Sequence, residues 1–452
     1  MSRKAINTND NVVLVDSADS SPTNGIVLDI ARDVSFDVEP VRRYALACWD
    51  PIIWDLMVVA AAVEFADRVV SRKKSQWRRH LFLRVPVQDP QTWNADGVVR
   101  SLCSALGLLT GDNWSFSFVG RKTALDPHSI VYLNLYLPTA AVMAYSDGLD
   151  SLAVAGIVRA QLEEELLFVR VQRGAAKPRK KGESFESVSY RIDYRGRRKK
   201  ESSCRSRAFK FIVVCAVAAY MARTKRIIVP ESGQSSLGSA LLPLGQLYPH
   251  YGSHPVFTNR MELFLNKLLG TEIQIEIPRL WCTKGQTLAE YLALCPTGKW
   301  ETTKSCWKPN YLSSVNGRSR DCGICAACML RRLSIRVAGI KEADGTYLSD
   351  DLNVSNLLNS VPPAFRSSRA YGRAFRADAV AGTKSMSDLA NMAQVGYRHR
   401  LRPYALDLSR VLELSADEVF DRLSALICQH ESEWSAFLGS LHPNSFVRKW
   451  AT

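Results

Sequence analysis

The chain has 452 residues, too many for one ordinary hydrophobic core, so two or three domains are expected. Its 46% hydrophobic and 23% charged residues are those of a soluble globular protein. The longest apolar runs, 56–63 and 211–219, are bounded by Glu64, Asp67, Lys210 and Arg223. They fall short of the roughly 18 to 20 residues that cross a bilayer, which excludes a membrane span and points to a cytoplasmic protein. Eleven cysteines, odd in number and unevenly placed, fit a reducing compartment better than a disulfide framework.

In chain order, residues 1–30 read as a flexible polar tail without an export signal. Residues 41–70 have helical spacing, and residues 80–90 alternate as a strand does before Pro90. "DGVVRSLCSALGLLTG" returns to helical period and ends on Gly111, a good C-cap, and "NWSFSFVG" alternates again. Residues 31–135 are thus expected to form an α+β region. From "IVYLNLYLP" onward strands and helices take turns: strands at "AAVMAYS", "LLFVRVQ", "RIIVP" and "TEIQIEIP", and helices at "SLAVAGIVRAQLEEEL", 207–223, from near Asn259, and at "TKGQTLAEYLALC", where Thr283 and Gln286 suit a capping box. This alternation predicts an α/β domain, a parallel sheet covered on both faces, over residues 136–343. A helical region is expected over 344–452.

The net charge of +15 is localised. Between Arg170 and Lys210 there are 15 Lys/Arg against 4 Asp/Glu, a difference of +11. The segment reads either as a solvated loop or hairpin, or as a basic flap over nucleotide phosphates or nucleic acid. Its few aromatics do not make a stacking platform for single strands.

Two motifs carry chemistry. "SDGLDS", residues 146–151, follows a strand and opens a helix. Gly148 supplies a tight turn, backbone N–H groups can surround phosphates, and Ser146 and Ser151 add hydroxyls. Asp150 offers a carboxylate to Mg²⁺. The alternative is a glycine turn capped by Ser151. The segment resembles the S-G-G-x-D-S PP-loop of ATP pyrophosphatases, which adenylate a carboxylate or carbonyl and release pyrophosphate. Asp147 stands where that family has glycine. The second motif is the cysteine set Cys306, Cys322, Cys325 and Cys328, whose two overlapping C-x2-C steps and one distant thiol suit a structural, tetrahedral zinc site. Cys295 is a rival to Cys306 as fourth ligand.

Together the loop, "KSCW" and "CGICAACMLRRL" resemble the QueC family, 7-cyano-7-deazaguanine synthases, as does "PRLWCTKGQTLAEY" with Lys284. The resemblance covers roughly residues 136–340. Fifteen residues lie between Cys306 and Cys322, more than the family usually has. "DLMVVAAAVEFADRVVSRK", "LFLRVPVQDPQTW" and "LTGDNWSFSF" resemble the extended, QatC-like branch of anti-phage defence operons. These resemblances imply ATP-driven activation of 7-carboxy-7-deazaguanine. In the defence branch they imply transfer to the N-terminal amine of a partner protein from the same operon.

Glu231, after the 226–230 strand, suits the N1–H and 2-amino groups of a guanine-like ring, or a loop cap. Gly233 is a further candidate there. His254 and Arg260 are candidates for the substrate carboxylate, and Arg205, Arg207 and Lys284 for phosphate; Leu149 completes the ATP loop. Competing readings are a nitrile-forming synthase of queuosine precursor biosynthesis, a tRNA-modifying enzyme, and a zinc-stabilised adaptor whose Asp147 marks lost catalysis.

Overall fold

A computed structural model of the chain describes residues 11–15, 25–47, 50–72, 78–122, 139–162, 165–172, 186–197, 199–201, 203–242, 248–308, 313–315, 317–368 and 370–451. The stretch at 130–138 and residues 173–185 of the basic segment lie outside them. Contacts divide the chain into two interleaved units. The first comprises Met1–Tyr145, Leu162–Val229 and His250–Glu276, and the second Ser146–Gln161, Pro230–Pro249 and Ile277–Thr452.

The first unit is built on the strands β1 (Asn11–Val15), β2 (Ile26–Asp29), β3 (Val34–Asp37), β4 (His80–Val87), β5 (Asn113–Gly120), β6 (Thr139–Ala144), β7 (Glu165–Gln172), β8 (Glu186–Ile192), β9 (Arg226–Ile228) and β10 (Gln274–Glu276). One sheet has the order β2-β1-β4-β5, all parallel. The other has the order β10-β9-β6-β7-β8-β3, parallel except for β3, which runs against β8 at the edge. The expected α/β alternation is therefore present as a mixed α/β fold with a parallel sheet. Strand β7 shows why: Leu166, Leu167, Phe168 and Val169 are buried in succession, as a strand covered on both faces requires.

Three expectations are corrected. Residues 11–15 and 26–29, expected in a tail, are strands, and the described residues between 31 and 135 supply strands to both sheets. The 41–70 helix is two helices, Glu39–Ala45 and Pro51–Val69, because Leu46 turns left-handed (φ 49°) and Asp50 caps a new start by accepting from the Ile52 N–H. Within the basic segment, residues 186–192 are no flap: β8 is an internal strand with Val188 and Tyr190 buried. Serines dilute its apolar content and cations flank it, which masks the strand pattern. Neighbouring cations are also engaged within the unit, Arg195 with Asp33 at 2.9 Å and Lys210 with Glu64 at 2.6 Å.

The apolar runs lie in the helices Pro51–Val69 and Arg207–Met221, whose apolar residues are buried in one core with both sheets. No helix among the described residues is long and apolar enough to cross a membrane.

The second unit is mainly helical. Helix Leu149–Gln161 packs on helix Lys284–Leu294, and a Cβ on Gly156 would come within 2.5 Å of the Tyr291 ring. The helices Ala326–Val337, Arg373–Asn391, Ala416–Gly439 and Phe446–Ala451 share a core with the late cysteines.

Candidate active site and metal centre

In the first unit, β6 and β9 lie side by side, with Val142 opposite Ile227 and Met143 opposite Ile228. The strand order reverses between them. The chain runs on from β6 into residues 146–151 and from β9 into residues 230–236, both of the second unit.

The 146–151 turn is held by its own serines. The Ser146 N–H donates to Ser151 Oγ at 3.2 Å, the two hydroxyls lie 2.9 Å apart, and the Gly148 N–H donates to Ser146 Oγ at 3.1 Å. Gly148 matters for space: an added Cβ would sit 3.0 Å from Ser146 Oγ. Asp147 is exposed, and its backbone is not left-handed, so the family's glycine is not required for conformation there. Its carbonyl accepts from the Lys304 N–H at 2.8 Å.

Leu149 is buried and anchors the helix start, with Asp150 in its first turn. The Asp150 carboxylate pairs through Oδ2 with the buried Lys284 ammonium, while its Oδ1 is buried with no hydrogen-bond partner. Glu231 belongs to the same group. Burial, then the Asp150 charge, push its carboxyl up to about 7, against Lys284 and a hydrogen bond from Ser235. Gly233 is buried against the Leu280 carbonyl, which a Cβ would meet at 2.2 Å. The second unit thus assembles Ser146, Gly148, Asp150, Ser151, Glu231, Gly233 and Lys284: two carboxylates, one ammonium and the serine hydroxyls. That set can hold polyphosphate and a cation.

Lys284 opens its helix from the expected capping box: the Gln286 N–H donates to Thr283 Oγ1 at 3.1 Å, and the Thr283 N–H donates to Gln286 Oε1 at 2.9 Å. Sequence reasoning missed the surrounding groups. The Lys284 N–H donates to Gln234 Oε1 at 2.8 Å, Gln234 Nε2 lies 2.8 Å from His430 Nδ1, and Thr283 Oγ1 donates to Glu433 Oε1 at 2.6 Å. No local pattern marks a lone Gln, His or Glu for such a role.

The remaining candidates belong to the first unit. Arg205 donates to the Thr110 carbonyl at 2.9 Å, and the exposed Arg207 lies over the Phe211 ring at 5.2 Å. His254 caps helix Pro255–Leu269, accepting from the Val256 N–H at 3.3 Å, and burial lowers its pKa to about 4. That cap and Pro255 start the helix ahead of the expected Asn259. Arg260 donates to the Ser104 carbonyl at 2.9 Å.

Cys306, Cys322, Cys325 and Cys328 bring their sulfurs within 4.8 Å of one another, a group that could hold a metal ion. The Cys325 N–H points at Cys322 Sγ (3.4 Å) and the Cys322 N–H at Cys306 Sγ (3.3 Å). Four thiols at this spacing fit tetrahedral zinc with Zn–S bonds of about 2.3 Å. Gly323, at φ 78°, makes the knuckle turn where a Cβ would strike the Ser349 carbonyl at 2.7 Å. Cys295 is not in the group; it ends helix Lys284–Leu294 and packs near Gly156.

Residues 246–339 match the family model described as queuosine biosynthesis protein QueC. The matched stretch holds Lys284 and all four clustered cysteines, and it supports a QueC-like family for this chain. No curated protein matches it.

Proposed function

We propose that this chain is a QueC-like, ATP-dependent synthetase that activates 7-carboxy-7-deazaguanine and joins it to the N-terminal amine of a partner protein in anti-phage defence. The QueC match supports an ATP-dependent enzyme. The observation that carries the chemistry is the part-buried Asp150–Lys284 pair beside a serine-lined turn, with one buried Asp150 oxygen left without a partner.

In this reading the substrate carboxylate attacks the α-phosphorus of ATP. A carboxyl–phosphate bond forms, the α–β anhydride breaks, and pyrophosphate leaves. The partner's amine then attacks the acyl carbon, the amide forms, AMP departs, and the amine proton goes to solvent. Ser146 and Ser151 bind the phosphates, and Lys284 offsets their growing charge. The orphaned Asp150 Oδ1 fits Mg²⁺, which when bound supplies charge neutralisation at the phosphates. Glu231 orients the guanine-like ring. An α-amine, with a pKa of about 8, is neutral often enough at neutral pH to act as nucleophile.

The test incubates the protein with ATP, Mg²⁺, 7-carboxy-7-deazaguanine and a candidate partner from the same operon, then weighs the partner intact. AMP, pyrophosphate and a partner heavier by one acyl group are expected, and Asp150→Ala should abolish all three. ADP and phosphate would defeat the PP-loop reading. An unmodified partner with accumulating nitrile would return the chain to the synthase reaction.

A further inference from the structure

We infer that Gln234 and His430 are positioning residues that hold Lys284 against Asp150, so that helix Ala416–Gly439 forms part of the active-site framework. The inference rests on the roles proposed above for Asp150 and Lys284.

Arg422, Leu426, His430 and Glu433 recur at helical spacing and share one face of that helix. All four reach the two segments that carry Glu231 and Lys284. The Arg422 guanidinium is 5.9 Å from the Trp281 ring centre. Leu426 packs on Gly233 so closely that a Cβ there would lie 2.7 Å from it. His430 meets Gln234 at 2.8 Å, and Glu433 accepts from Thr283 at 2.6 Å.

The hydrogen bonds have one direction. The Met386 carbonyl, 2.9 Å from His430 Nε2, can only accept, so Nε2 carries the proton. Nδ1 then accepts from the Gln234 amide nitrogen, which turns Gln234 Oε1 to the Lys284 N–H. That N–H, in the first helical turn, has no partner inside its own helix. Gln234 and His430 are both buried, so no water competes for these bonds. The helix start is fixed, and with it the origin of the Lys284 side chain.

The test uses the full chain with Gln234→Leu, His430→Leu, the double variant, and His430→Gln, which keeps one acceptor and one donor. AMP formation from ATP and 7-carboxy-7-deazaguanine is measured beside acylation of Lys284 relative to the exposed Lys267. Each leucine variant should lose at least tenfold in kcat with KM for ATP within twofold. Lys284 should label several-fold faster while Lys267 does not change. The double variant should be no worse than either single one, and His430→Gln should recover activity and Lys284 protection. Wild-type kcat and labelling in Gln234→Leu would overturn the inference, as would faster labelling at both lysines. If the wild type makes no AMP, the adenylation reading fails, and Lys284 labelling still decides the positioning role.

Discussion

Glu231 carries a titration that can be read in solution. Burial and then the Asp150 carboxylate raise it to about 7, while Lys284 and Ser235 pull the other way. A carboxyl raised on folding binds more protons in the native than in the unfolded chain, so its stabilising contribution is full below the ordinary glutamate range. That contribution is lost as the pH rises through about 7. Glu231→Gln should therefore remove a decline in thermal stability between weakly acidic and neutral pH. If Glu231 holds the guanine-like ring as proposed, the same titration sets its recognition, because only the ionised carboxylate accepts both ring donors. Affinity for 7-carboxy-7-deazaguanine, measured by calorimetry, should rise with pH in the wild type and stay lower and flat in Glu231→Gln. Equal pH slopes in the two proteins would remove Glu231 from the site. At this scale the sequence was informative where a signal was local. Thr283 and Gln286 announce a cap three residues apart, and the 146–151 turn shows its serines and glycine together. Gln234 and His430 are 196 residues apart, and neither has a neighbour that marks it.

The cysteine group that could hold a metal is an element whose members were legible because a C-x2-C-x2-C run has few other uses. Folding brings the sulfur of Cys306 into the group, while Cys295 is held at the end of a helix. Cys322, Cys325 and Cys328 are buried in the same core as Met329, Phe375, Trp434 and Phe446. Helix Arg373–Asn391 approaches the knuckle so closely that a Cβ on Gly382 would lie 2.1 Å from the Ile324 carbonyl. Loss of the metal should loosen this core, since ligand binding and folding are coupled at such sites. Cys325→Ser and Cys306→Ser should each lower zinc content and soluble yield together, and Cys295→Ser should change neither. Elemental analysis finding full zinc in Cys306→Ser would reassign the fourth ligand. Strand β8 shows the opposite case, an element that charge counting hid. Only its place between β7 and β3 explains why Val188 and Tyr190 are buried.

Across the whole molecule, linear segmentation and contact organisation part company. Reading along the chain suggests a self-sufficient catalytic stretch at 136–343, because its motifs are contiguous. The contacts of each unit cross those limits. In the first, β3 pairs with β8, and helix Pro51–Val69 shares a core with helix Arg207–Met221. In the second, helix Ala416–Gly439 reaches Gln234 and Thr283. Such pairings are set by shape and burial over long separations, which composition and periodicity do not encode. The consequence is quantitative. Leu56, Met57, Val58, Val59, Val63 and Phe65 are at most 1% exposed. Uncovering the surface they bury against forfeits about 1.5–3 kcal/mol per large apolar side chain. Domains are stable by only about 5–15 kcal/mol in total. A fragment of residues 136–343 should therefore fail to fold, although it keeps every proposed ligand of nucleotide and metal. Expressed alone, it should aggregate or show no cooperative thermal transition by circular dichroism, whereas the full chain should melt cooperatively. A fragment that melts cooperatively and retains one zinc would show instead that the catalytic stretch is independent and that its flanks are additions.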